Sequence, residues 1–144
     1  MSELINIYSW MDTFTQSLIE RLNEWSDDYI EASLDLRDQN PFDNDWMLVY
    51  DAVEKEKQKF PNVAICSASK KIEKIAHDIF VQTMKKTGSD DLAGYVSDDV
   101  ELISFGLSVK MQNNFLFSLI GSYLSGKIPS NRMERIEYNP TALY

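Results

Sequence analysis

Residues Asn114–Ser125 read NFLFSLIGSYLS, and apolar side chains occupy nearly every side of the helix this stretch would form. A helix at a protein surface keeps one apolar stripe and one polar face. Phe115, Leu116, Phe117, Leu119, Ile120, Tyr123 and Leu124 leave no polar face, so the segment is expected to be the central, buried helix of its domain. Gly126 and Pro129 close it, because glycine turns left-handed without strain and proline cannot continue the hydrogen-bond ladder. A helix buried on all sides needs others around it, and the rest of the chain supplies them.

Immediately upstream lies GSDDLAGYVSDDVELISF, Gly88–Phe105, in which the triplet Ser-Asp-Asp occurs twice. A hydroxyl or carboxylate followed by acids is how a helix begins. With Ser97 or Asp98 as the cap, the following acids fall in the first turn, where the helix dipole favours negative charge. This helix carries Val100, Leu102, Ile103 and Phe105, Gly106 is expected to break or bend it, and Ser89 opens a short preceding turn. Asp98→Ala should then reduce stability by about 1 kcal/mol, the usual value of a cap.

Working further back, Asn62 to about Lys86 has Ile65, Ala68, Ile72, Ile75, Ala76, Ile79 and Met84 at helical spacing, with Gly88 as its stop. Asp43 or Asn44 can cap another helix, whose stripe is Trp46, Val49, Tyr50, Val53 and Phe60 and which Pro61 ends. From Leu4 to Tyr29 one stripe runs in steps of three and four through Ile7, Tyr8, Met11, Phe14, Leu18, Leu22 and Trp25. That is one long helix, or two joined near Ser26-Asp27-Asp28. This third copy of the triplet lies inside a stripe that needs no cap, so it reads as charged surface. No run alternates strictly enough for a strand. The expected fold is all-α: a single-domain bundle over residues 1–144 of about five helices, one central and buried, with 130–144 an irregular tail.

Length and composition fit that picture. The 144 residues, 44% hydrophobic, suffice for a core without cross-links, and the single cysteine, Cys66, cannot form an internal disulfide. The N-terminus lacks a basic region followed by an apolar run, and no window is apolar enough to span a bilayer, so a cytoplasmic protein with no membrane contact is expected. The net charge is −9 and unevenly placed: residues 1–60 carry 14 acids against 5 bases, and residues 89–106 carry 5 acids and no base. Only Lys70, Lys71, Lys74, Lys85 and Lys86 approach a phosphate-binding stripe, so no direct nucleic-acid binding is expected. Such a chain is steered toward a basic partner.

Motifs for chemistry fail one by one. Ser67-Ala-Ser-Lys70 and Lys86-Thr87-Gly88 match fragments of penicillin-recognising enzymes, but at the wrong separation and without the strand that carries the second. Asp43-Asn-Asp45 opens like a calcium loop, yet Leu48 stands where the turn requires glycine. His77, the only histidine, has Glu73 one turn away but faces outward, opposite the apolar stripe. No catalytic residue, metal ligand or cofactor site is therefore assigned. The tryptophans read as packing residues, except Trp10, which lies off the first stripe and either meets another helix or docks a partner.

The segment Tyr95–Pro129, YVSDDVELISFGLSVKMQNNFLFSLIGSYLSGKIP, resembles the C-terminal part of small bacterial immunity proteins encoded beside contact-dependent or polymorphic toxins. The shared pattern is an acidic start, a short helix bearing Leu-Ile, a polar loop, and an apolar helix ending Tyr-Leu-x-Gly-x-x-Pro (Tyr123, Leu124, Gly126, Pro129). Where such proteins often have a proline-aromatic turn before the last helix, this chain has Gln112-Asn113-Asn114-Phe115. The resemblance implies a non-enzymatic cytoplasmic protein that binds one cognate toxin domain, often a nuclease with a basic cleft, and blocks it. On that reading the candidate partner-binding residues are Asp27, Asp28, Glu31, Asp35, Asp38, Asp43 and Asp45, joined by Asp90, Asp91, Asp98 and Asp99. The alternative is a helical adaptor or a homo-oligomer packed through the first helix.

Overall fold

The computed structural model describes residues 4, 5 and 7–136. Six α-helices follow one another: α1 (Tyr8–Arg21), α2 (Asp27–Arg37), α3 (Phe42–Lys57), α4 (Asn62–Thr87), α5 (Asp90–Ser108) and α6 (Asn114–Leu124), with a 3₁₀ turn, Leu22–Glu24, between α1 and α2. Among the described residues there is no strand. The all-α class is as expected, with one helix more than the periodicity suggested.

That extra helix comes from the N-terminal stripe, which is two helices rather than one. Ile7, Met11, Phe14, Leu18 and Leu22 are buried along α1, but at Trp25 the backbone turns extended (φ −91°, ψ 119°). Trp25 stays in the core, its indole N–H donating to the Gly126 carbonyl at 2.9 Å. Ser26 then caps α2, its Oγ accepting from the Tyr29 N–H at 3.1 Å, with Asp27 and Asp28 in the first turn. Ser26 therefore is a cap, against expectation. The apolar phase carries across the break, so periodicity alone does not choose between one helix and two.

The same correction runs the other way downstream. Ser89 is the cap of α5, its Oγ accepting from Leu92 N–H at 3.1 Å, while Ser97, Asp98 and Asp99 lie in the middle of a 19-residue helix. Neither Ser97 nor Asp98 caps anything; the Ser97 hydroxyl donates to the Ala76 carbonyl of α4 at 3.0 Å. Nor does Gly106 break α5. A Cβ there would lie 2.6 Å from Leu116 Cδ2, so the missing side chain is what lets α6 approach so closely. For α3, the expected cap at Asp43 or Asn44 is absent: the helix starts at Phe42, and the Asn40 side chain accepts from Asn44 N–H at 3.2 Å.

Helix α4 ends as expected at Gly88, left-handed at φ +71°, and the short link to Ser89 folds α4 and α5 into a hairpin. Helix α5 touches α2, α3, α4 and α6, whereas α6 touches α1, α3 and α5. The centre is thus shared. Phe115, Leu116, Phe117, Leu119, Ile120 and Tyr123 of α6 are buried as expected, although Leu124 is half exposed, and α5 buries Leu92, Val96, Val100, Leu102, Ile103 and Phe105 beside them. Each such side chain contributes roughly 1.5–3 kcal/mol on leaving water. Residues 130–136 form no helix but are fastened: Asn131 bonds the Phe42 N–H and the Asn40 carbonyl, and the Ile136 N–H donates to Ser118 Oγ.

Candidate protein-binding surface

Asp99 decides how the acidic residues are distributed. At mid-helix in α5 it is wholly buried and accepts a bidentate pair of bonds from Arg37 of α2 at 2.7 and 2.8 Å. Trp46 Nε1 of α3 donates to it at 2.9 Å and the Tyr123 hydroxyl of α6 at 2.5 Å. One carboxylate thereby ties four helices together. Arg37 also donates to the Pro129 carbonyl at 3.1 Å, and its guanidinium lies against the rings of Tyr95 (4.5 Å) and Phe42 (5.0 Å). Its Nε is the one buried side-chain polar atom without a partner among the described residues. Burial would lower the Arg37 pKa, but Asp99 more than offsets it and holds the guanidinium above its ordinary value. Burial, then Asp99, raises the Tyr123 phenol well above its usual range. Asp99 is therefore not a surface residue, and its expected place on a partner-binding face is corrected: it is a structural centre that no partner can reach in this fold.

The other candidate acids lie at or near the surface. Asp27, Asp28, Glu31 and Asp35 are exposed along α2, and among the described residues none of them forms an ion pair. Their only basic neighbour on that helix, Arg37, is the residue matched internally by Asp99. Asp38 accepts from the Tyr95 hydroxyl at 2.6 Å, a bond that with partial burial pushes the phenol up to about 12. Asp43 and Asp98 line a cavity of about 170 Å³ with Arg37, Trp46, Met47 and Tyr95. Asp38, Asp43 and Asp98 thus gather around Arg37 and Tyr95, with Asp91 close enough to act on the Tyr95 phenol. Asp45 points elsewhere, pairing with Arg135 at 3.1 Å, and Asp90 is exposed in the first turn of α5.

Sequence reasoning missed Glu101, Tyr95 and Met47. Glu101 lies in no first turn, since no helix starts at Ser97 or Asp98; it is half-buried on α5, where burial and then Asp98 and Glu73 raise its pKa against the pull of Lys57. Burial, then Asp99, likewise raises Asp98, with Arg37 opposing. Trp10, marked as a possible docking aromatic, is half-buried and stacks on Phe14 at 5.0 Å. His77 and Glu73 are exposed, and no three metal-ligating side chains converge among the described residues. No described helix is long and apolar enough to cross a membrane.

No curated protein and no solved structure matches the chain. A family model does: the one described as Immunity protein PIM1 matches residues 10–130, taking in every helix but for the first two residues of α1, and with them the Arg37–Asp99 centre and the acidic face around it. The chain belongs to the PIM1 family of immunity proteins.

Proposed function

We propose that the protein neutralises a cognate toxin domain of nuclease type, in the bacterial cytoplasm, by covering the toxin's basic cleft with its own acidic face. It acts by binding and not by catalysis. The observation that carries this is the uncompensated run Asp27, Asp28, Glu31 and Asp35: the helix that bears it has one base, and that base is buried against Asp99. Asp38 continues the same charge at the end of α2, and Asp43, Asp90, Asp91 and Asp98 extend it onto α3 and α5, while Asp45 takes part only if its pair with Arg135 opens. Exposed charges of one sign accelerate encounter with a surface of the opposite sign and do so less as salt rises. A nuclease cleft that binds phosphates is such a surface.

The test is co-expression with the toxin domain encoded beside this gene, followed by binding of the purified pair. Wild-type chain should restore growth, and association should slow steeply between about 50 and 500 mM salt as the charges are screened. Persisting toxicity, or association indifferent to salt, overturns the proposal.

A further inference from the structure

A groove runs between α3 and α5 with Trp46 at its middle. On one side of Trp46 a cavity of about 240 Å³ is lined by Tyr50, Glu54, Asp98, Glu101 and Phe105. On the other side lies the 170 Å³ cavity bordered by Asp43, Met47, Tyr95 and again Asp98. The groove is therefore aromatic along its floor and acidic along its walls. Trp46 stacks on Tyr50 at 5.7 Å and 12°, and its indole N–H is held by Asp99, so the floor is fixed before anything docks. Met47 and Tyr50 are 47% and 41% exposed, and Leu48 beside them 59%, which makes α3 the helix with the largest share of exposed large apolar side chains.

The walls carry negative charge that the chain itself does not match. Among the described residues Asp98 and Glu101 form no ion pair. The two cations nearest the groove are already held. Lys57, at one end, sits 3.8 Å from the Phe105 ring and pairs with Glu54 at 3.0 Å. Arg37, behind the wall, lies between Phe42 and Tyr95 and pairs with Asp99. Both are bound in one manner, by an aromatic face and a carboxylate together. Between them, Trp46 and Tyr50 with Asp98 and Glu101 repeat that combination.

We propose that the α3–α5 groove is the anchor point for the toxin and takes a basic side chain, arginine or lysine, laid across Trp46 and Tyr50 with its charge between Asp98 and Glu101. This deepens the reading of the chain as a toxin-binding inhibitor, and rests on it. The acids of α2 then steer the encounter, whereas the groove sets how long the complex lasts. Desolvated aromatic and charged anchors act on dissociation, and exposed rim charges act on association.

The two roles separate in rapid-mixing kinetics with the full chain and the toxin domain encoded beside its gene. Asp98→Asn/Glu101→Gln and Asp27→Asn/Asp28→Asn remove the same charge from the groove and from the ridge of exposed acids on α2. The groove pair should raise the dissociation rate roughly 100-fold, and Tyr50→Ala roughly 10-fold, as expected of anchor residues. The ridge pair should slow association several-fold and leave dissociation close to the parent's. Tyr50 is 41% exposed and makes no hydrogen bond through its side chain among the described residues, so its variant keeps the test open should the double variant not fold. Dissociation at the parent's rate in the groove variants overturns the proposal while the ridge result stands on its own. A parent chain that sediments as a dimer, dispersed by Tyr50→Ala with toxin binding unchanged, assigns the groove to a second copy and overturns it too. No binding of toxin by the parent chain defeats the underlying reading itself.

Discussion

Replacing Asp99 by alanine would remove the acceptor for four hydrogen bonds at once, from Arg37 Nη1 and Nη2, Trp46 Nε1 and the Tyr123 hydroxyl. Arg37, 3% exposed, would keep only the Pro129 carbonyl. Removing one member of a buried ion pair costs about 3–5 kcal/mol, because the remaining charge is stranded. Each stranded neutral donor adds about 1–3 kcal/mol, less where neighbours share a relaxation. Asp99→Ala should thus lose roughly 5–8 kcal/mol, comparable with the entire stability of a domain this size. Arg37→Met should lose less, about 3 kcal/mol, since Asp99 retains Trp46 and Tyr123 as donors. Arg37→Met/Asp99→Leu should recover about 2 kcal/mol or more relative to Asp99→Ala, because no charge is then left in the core. Urea unfolding at neutral pH, followed by far-ultraviolet circular dichroism, measures all three. A loss below about 1 kcal/mol for Asp99→Ala, or a double variant no better than that single one, would refute the reasoning.

Three further outcomes are open to the same measurement. Gly94→Ala should stabilise by about 0.5–1 kcal/mol, since nothing lies within 4 Å of its added methyl group, whereas Gly106→Ala should destabilise by about 1–3 kcal/mol through its clash with the buried Leu116; equal effects at the two sites would disprove the close approach of α6. Ser26→Ala and Ser89→Ala should each lose about 1 kcal/mol as caps, and a loss at Ser26 below about 0.3 kcal/mol would argue for a continuous first helix. Asp98→Asn should raise the melting temperature at neutral pH, where the sequence alone suggested that losing this carboxylate would lower it. The sign follows from the raised pKa of the folded state: the favourable contribution belongs to the protonated carboxyl, is present in acid below its ordinary 3.8, and is lost as pH rises through the higher folded value and the buried group ionises. The gain in Asp98→Asn should therefore fade as pH drops toward and below 3.8, and a gain independent of pH would exclude this cause.

The fold class was legible because its signal is local. The stripe on α1, the glycine at the end of α4 and the all-round apolar α6 are patterns within one window of sequence. Whether the N-terminal stripe is one helix or two stays open in the sequence, because Trp25 remains buried at the break and the apolar phase is kept. The triplet Ser-Asp-Asp shows the limit most clearly. Its three copies are chemically identical, yet Ser26 and Ser89 are caps and Asp99 is the core's one carboxylate. What separates them is the guanidinium that arrives from 62 residues away, and nothing in a local window reports it. The acidic face was legible as charge, but the groove was not: Glu101, Met47 and Tyr95 meet across α3 and α5 only in the folded chain.

The long reach of Arg37 also has a consequence for how the protein is made. Its partners are Asp99, 62 residues on, and Pro129, 92 residues on, while the tail that clasps α3 arrives later still. During synthesis Arg37 emerges from the ribosome well before Asp99, and α2 cannot make its full set of contacts until α5 and the end of α6 have followed. The complete set of Arg37 contacts can thus form only once translation has passed Pro129. Any message cut short before Asp99 yields a chain in which Arg37 lacks the carboxylate that pairs with it.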